Sequence, residues 1–230
     1  MLGLYPTWFE PGVGSGWIIG FIATIHVLFS HASVGAALVF AWLARRAVTA
    51  NQPQHLDFIR KYGAFLLIFS YVLGSVTGPG IWFAATIANP RGISALIHNF
   101  VWLWATEWVF FLIEVAGVYL LVYLAGRVPI KTYLRYCTIF ALSSVGTLLI
   151  IVGIPGQDSW YQTGGVLSAF FGESMFAQLS ARFFFMLTIT GVVGGFAAAK
   201  TADPAEKSYI ARTLSGLGAM GAVLGTASLY

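Results

Sequence analysis

Apolar residues gather in six stretches of the chain: Trp17 to Leu43, Tyr62 to Ala88, His98 to Ala125, Tyr133 to Ile154, Phe183 to Ala199 and Ile210 to Leu229. About 20 such residues suffice to cross a hydrocarbon core. The pattern therefore predicts an all-α integral membrane protein with about six transmembrane helices, the sixth being the richest in Gly and Ala. The first stretch starts beyond Glu10 and Pro11 with no basic run before it, so it is expected to stay as a helix rather than to be a removed signal peptide. One connection is too long to be a turn. Pro155 to Arg182 carries Trp160, Tyr161, Phe170, Phe171 and Phe176, which suggests an external segment lying at the interface, either capping the bundle or docking a partner.

Composition agrees with the pattern. Of 230 residues, 58% are hydrophobic and 9% charged, and the mean hydropathy is +0.82. A soluble domain carries about a quarter charged residues, so soluble and disordered classes are set aside. The single Cys137 excludes an intrachain disulfide and a Cys-x-x-Cys-His haem attachment. The formal charge of +4 could suggest nucleic acid, but the placement of the charges argues otherwise. Arg45, Arg46, Arg60, Lys61, Arg127, Lys131, Arg135, Lys200, Lys207 and Arg212 fall in the first, third and fifth connections, against Arg91 and Arg182 on the other side. By the positive-inside rule the first group is cytoplasmic and the N-terminus lies outside. No nucleic-acid partner is expected.

Titratable side chains at membrane depth cost about 2.5–3.5 kcal/mol even on a lenient scale, so each needs a partner or a task. Four qualify: His26 and His31 on the first helix, Glu107 and Glu114 on the third. With a rise of about 1.5 Å per residue, His26 and Glu107 come out at one level, His31 and Glu114 at another. Seven residues put Glu107 and Glu114 on one face, whereas five separate His26 from His31 by about 140°. One histidine, most economically His26, is expected to face the carboxylates while the other looks elsewhere.

Imidazole within an apolar bundle suits haem iron. Trp102, Trp104, Trp108, Phe110 and Phe111 surround Glu107 in sequence, and the second helix offers Gly74-Ser75-Val76-Thr77-Gly78-Pro79-Gly80, where backbone could approach a ring. Hydrogen-bonded packing histidines, a metal-free proton relay and a simple helix kink are the competing readings of the same residues. Met186 is by default a core methionine, although a thioether can ligate haem iron. His98 is read as interfacial, and His55 as part of a cytoplasmic loop.

The order of these motifs resembles subunit I of the cytochrome bd quinol oxidase family. Ile25-His26-Val27-Leu28-Phe29 followed by Gly35 is similar to that family's first helix. Lys61-Tyr62-Gly63 leading to Gly74-Ser75-Val76-Thr77-Gly78 is similar to its second, Glu107 with Phe111-Leu112-Ile113-Glu114 to its third, and Leu148 to Gln157 to the end of its fourth. The likeness runs over residues 20 to 160 and more loosely over 180 to 230. It implies a haem-binding four-helix bundle over residues 1–155, an external segment over 156–182 and two further helices over 183–230. His26 is implied as an axial haem ligand, and Glu114 as an acid serving proton delivery or ligation. Glu107 falls near the family's other acidic position, though seven rather than eight residues from Glu114. The implied cofactors are one or two b-type haems, a possible further haem type, and quinone or quinol. Implied partners are other membrane subunits of a respiratory complex, a c-type cytochrome on the outer side and membrane lipid, in a bacterial or archaeal inner membrane.

Departures from the family are equally specific. Its fifth helix bears a ligating histidine where this chain has Phe184, Phe185 and Met186, and no histidine follows His98. The family's later helices and quinol-binding loop have no counterpart before Tyr230, as in an incomplete version or a short relative. The expected function is electron transfer within a quinol-oxidising respiratory complex, with candidate cofactor contacts His26, His31, Glu107, Glu114 and Met186 and proton handling by Glu107 and Glu114. The alternatives are a cofactor-free anchor for a periplasmic redox partner and a proton-translocating subunit.

Overall fold

The computed structural model describes residues 7–154 and 164–228, in which all regular structure is helical. Helix α1 covers Gly16–Thr49. Helix α2, His55–Leu66, passes through a π-helical turn, Leu67–Val72, into α3, Leu73–Ala88. Then follow α4, Pro90–Leu124, α5, Ile130–Gly153, the short α6, Val166–Phe170, α7, Glu173–Ala198, and α8, Pro204–Ala227. Five segments are long and apolar enough to cross a membrane: Gly16–Thr49, His55–Ala88, Pro90–Leu124, Ile130–Gly153 and Met175–Ala198. This is the architecture of a multi-pass membrane protein. The sixth expected crossing is a helix too, α8, but it lies outside those five; Glu206, Lys207 and Arg212 and its many glycines dilute its apolar character.

Local chemistry sets the boundaries. Between α3 and α4 the chain reverses through Asn89 alone, whose side chain accepts from the Gly92 N–H at 3.0 Å while Pro90 opens the helix. Asp203 and Pro204 repeat the device at α8, with Asp203 accepting from the Ala205 N–H at 2.9 Å. At the π-turn and Pro79 the backbone ladder of the second crossing is irregular. Hydroxyls compensate: Ser75 donates to the Tyr71 carbonyl, and Thr77 to that of Leu73.

The core is a seam of Phe40, Leu43, Phe58, Ile59, Tyr62, Val118, Leu121, Phe140 and Leu214. Close approach depends on glycines. A Cβ on Gly35 would meet the Thr190 hydroxyl and stand 2.8 Å from the Met186 carbonyl, so α1 and α7 touch backbone to backbone there. Helices α7 and α8 approach as closely, through Gly191, Gly218 and Gly221. The expected external segment is shorter than its sequence suggests. Its residues 155–163, with Trp160 and Tyr161, lie outside the described residues, and from Glu173 onward the chain already belongs to α7. Phe170 folds back to fill the space over Gly153 at the end of α5.

Candidate functional site

At mid-bundle, polar groups from four helical segments join. Glu114 on α4, only 4% exposed, accepts from the Tyr71 hydroxyl at 3.2 Å on Oε2 and from Thr147 Oγ1 of α5 on Oε1. The Tyr71 oxygen is 2.6 Å from Ser33 Oγ of α1. With its own proton directed at the carboxylate, Tyr71 accepts from Ser33. Tyr71 sits on the π-turn, whose wider winding carries the phenol inward. Level matching from the sequence paired His31 with Glu114; the residue of α1 that joins this layer is Ser33, two positions further on and on a different face.

A second polar layer lies about two helical turns away, toward the end opposite the ten clustered basic residues. His26 Nδ1 is 2.9 Å from Thr77 Oγ1. The Thr77 hydroxyl points back at the Leu73 carbonyl at 2.9 Å, with that of Gly74 at 3.3 Å. One hydroxyl holds one proton, and here the backbone takes it. Thr77 therefore accepts from His26 Nδ1–H, and the neutral ring keeps its lone pair on Nε2. Gly78 brings the backbone against the same ring, since a Cβ there would be 3.3 Å from His26 Cε1. Trp82 and Trp104 pack edge to face with centroids 4.8 Å apart, which fixes α3 against α4. Counting down the two antiparallel helices from that contact places Thr77 and Gly78 beside the level of Glu107. Glu107 is half-buried and has no hydrogen-bond partner among the described residues.

The remaining candidates separate from this cluster. His31 is 2% exposed. Its Nδ1 reaches Ser30 Oγ weakly, at 3.4 Å, and its Nε2 is buried without a partner. Met186 is buried with Val34, Leu148, Val152 and Met175, and its thioether is part of an apolar cluster. The aromatic residues near Glu107 do not form one wall. Trp102 is 82% and Trp108 56% exposed, while Phe110 lies over Gly146 and Phe111 packs near Tyr71. His98 is exposed and, among the described residues, bonds to the Ser94 carbonyl within its own helix. His55 is not in a loop. It begins α2, buried, with Nδ1 2.6 Å from Glu206 Oε1 and Nε2 2.9 Å from Gln52 Oε1, and its ring stacks on Tyr209.

Tyr71, Thr147 and Ser33 escaped the sequence reading because only histidines and carboxylates were ranked by depth, and Thr77 entered it only as part of the glycine-rich run Gly74 to Gly80. A hydroxyl in an apolar run gives little signal until its partner is known. Fit to a haem can be tested on what is present. An imidazole with Nδ1 anchored and Nε2 unengaged has the form of a haem ligand, and a glycine beside the ring leaves room for close approach. No group of three or more His, Cys, Asp or Glu side chains suited to a bare metal ion occurs among the described residues. Compared with protein-family models and with curated proteins, the chain matches none.

Proposed function

We propose that the chain is the membrane-embedded, b-type haem-binding electron-transfer subunit of a cytochrome bd-like, quinol-oxidising respiratory complex. The observation that carries the reading is the His26 ring, anchored through Nδ1 by Thr77 and free at Nε2. The resemblance of the first four crossings to subunit I of that family adds to it. When bound, haem would supply a one-electron carrier. His26 would hold it, Thr77 would set the tautomer and orientation of His26, and Gly78 would allow the ring to lie close to α3. Glu107 and Glu114, at successive depths on α4, would handle the protons that accompany electron transfer. The ten basic residues at one end of the bundle favour a cytoplasmic side there and an external N-terminus.

A competing reading, a cofactor-free anchor, draws support from Trp82 on Trp104 and Phe110 on Gly146, which already fill space between helices. A pyridine-haemochrome assay on purified protein decides between them. The haem reading expects a b-type signal that loses at least one reduced-minus-oxidised component in His26→Ala. A colourless protein, or an unchanged spectrum and haem content in the variant, rejects it.

A further inference from the structure

Helices α2 and α7 meet near the end of the bundle that holds the clustered basic residues. Tyr62 comes against Gly194, where a Cβ would stand 3.1 Å from the ring. Beside that contact a crevice of about 70 Å³ stays open between the two helices, lined by Lys61, Phe65, Phe196, Ala197 and Lys200. The lining repeats one pattern on both sides. Lys61 and Phe65 are four residues apart on α2, and Phe196 and Lys200 four apart along α7 and the turn that ends it, so each phenylalanine lies about one helical turn deeper than its lysine. Phe196 is 70% exposed. The Lys61 ammonium is held across the crevice: it lies 2.7 Å from Asp57 Oδ2 and donates to the Lys200 carbonyl at 3.3 Å. Its third N–H and the whole Lys200 ammonium have no partner among the described residues. Arg60 shares the same Asp57, at 3.0 Å, so three cations stand against one carboxylate. Asp203, three residues past Lys200, is committed to the Ala205 N–H, and no acidic side chain lines the crevice.

We infer that this crevice is a binding site for the phosphodiester head group of an anionic glycerophospholipid, with an acyl chain lying along Phe65 and Phe196. Two ammoniums from different helices call for a ligand with two acceptor oxygens on one centre, and the unesterified oxygens of a phosphodiester meet that need. The rings select the rest of the molecule. A water-soluble phosphate would satisfy the lysines and leave Phe65 and Phe196 without a match, whereas a chain attached to the head group passes over them on its way into the membrane. A zwitterionic lipid brings its own ammonium toward Lys61 and Lys200 and loses much of the attraction. Lysine suits the place because its stem runs along apolar surface while its head stays at the interface, and basic crevices between helices recognise anionic head groups in this way. Bound there, the lipid would bridge α2 to the end of α7, adding to the link already made by Lys61 and the Lys200 carbonyl. The inference goes beyond the proposed function and does not depend on it, since neither haem nor His26 enters.

The test is native mass spectrometry of the purified chain released from detergent, with one lipid added at a time. Phosphatidylglycerol should fill its first site about tenfold more tightly than phosphatidylcholine. Lys200→Gln removes only an ammonium, because Lys61 bonds to the backbone carbonyl of that residue, so the fold is kept. It should weaken phosphatidylglycerol about fivefold, as for one basic residue beside an anionic head group, and Lys200→Arg should retain the affinity. Phe196→Ala, at an exposed ring, should weaken it as well. Lys131→Gln, an exposed cation at the start of α5 outside the crevice, should bind as wild type does, and excess inorganic phosphate should leave the lipid in place. Equal affinity for the two lipids, wild-type affinity in Lys200→Gln or Phe196→Ala, or an equal loss in Lys131→Gln overturns the site. Displacement by inorganic phosphate overturns the lipid as its occupant.

Discussion

Removing the Tyr71 hydroxyl tests whether the mid-bundle layer holds the helices together. Tyr71→Phe keeps the ring against Phe111 and deletes one oxygen, yet two hydrogen bonds disappear with it: the 2.6 Å contact with Ser33 and the 3.2 Å bond to Glu114. Side-chain hydrogen bonds inside membrane bundles average about 0.6 kcal/mol and reach about 1.7. A buried carboxylate acceptor belongs toward the upper end, because its charged form is left short of donors. Two such bonds give an expected loss of about 1–3 kcal/mol. Unfolding in detergent followed by tryptophan fluorescence measures it. A mutant cycle adds the sharper result. Thr147→Val removes the donor on the other carboxylate oxygen, so the double variant should be worse than the sum of the singles by at least about 0.5 kcal/mol. Ser33→Ala added to Tyr71→Phe should cost almost nothing further, since the partner of Ser33 is already gone. Tyr71→Phe within about 0.3 kcal/mol of wild type, with all pairs additive, would refute the shared network.

Three other outcomes are expected. Gly35→Leu forces α1 off α7 at the Met186 carbonyl and should destabilise by about 1–3 kcal/mol or more in the same unfolding assay. Glu206→Leu strips the buried hydrogen-bond partner 2.6 Å from His55; a hydrogen bond to a charged group contributes about 1.5–3 kcal/mol, so it should lower the thermal midpoint more than loss of the exposed Arg60 to Asp57 pair in Arg60→Ala. Thr77→Val should leave any haem content near wild type but shift its reduction potential and axial-ligand spectrum, with Thr77→Ser restoring both, because only the donor to the backbone and acceptor from His26 changes.

The helical class, the five strongest crossings and the cluster of basic connections were legible in the chain because each follows from composition over many residues. Helix ends were less so. The first apolar run stops at Leu43, yet α1 continues to Thr49, since Arg45 and Arg46 prolong a helix as readily as they leave the membrane. In the same way α7 begins at Glu173, ten residues before the Phe183 that opens the apolar run. Depth arithmetic placed His26 near the level of Glu107. Azimuth needed the structure: which face of α1 meets α3 and which meets α7 depends on where Gly35 and Gly78 permit contact, a property of pairs of helices rather than of one sequence window. The π-turn is harder still, because an extra residue in one turn rotates all that follows, and nothing in Leu67 to Val72 announces it.

The direction of the polar layer bears on what the acids can do. Ser33, Tyr71, Glu114 and Thr147 are joined across the bundle at nearly one depth, from α1 to α5. A transmembrane proton path needs groups linked along the membrane normal. From Glu114 the nearest other carboxylate on α4 is Glu107, seven residues away, which is about 10 Å of helical rise, with no hydrogen bond between them among the described residues. In the other direction Leu121 and Val118 close the seam toward the basic end. Such a lateral chain can hold, relay or release a proton locally, about two helical turns from the His26 layer, and no hydrogen bond among the described residues joins it to either face of the membrane. A carboxylate satisfied by donors from two different helices also fixes their register. Glu114, bonded from both the second crossing and α5, is thereby a structural keystone of the bundle.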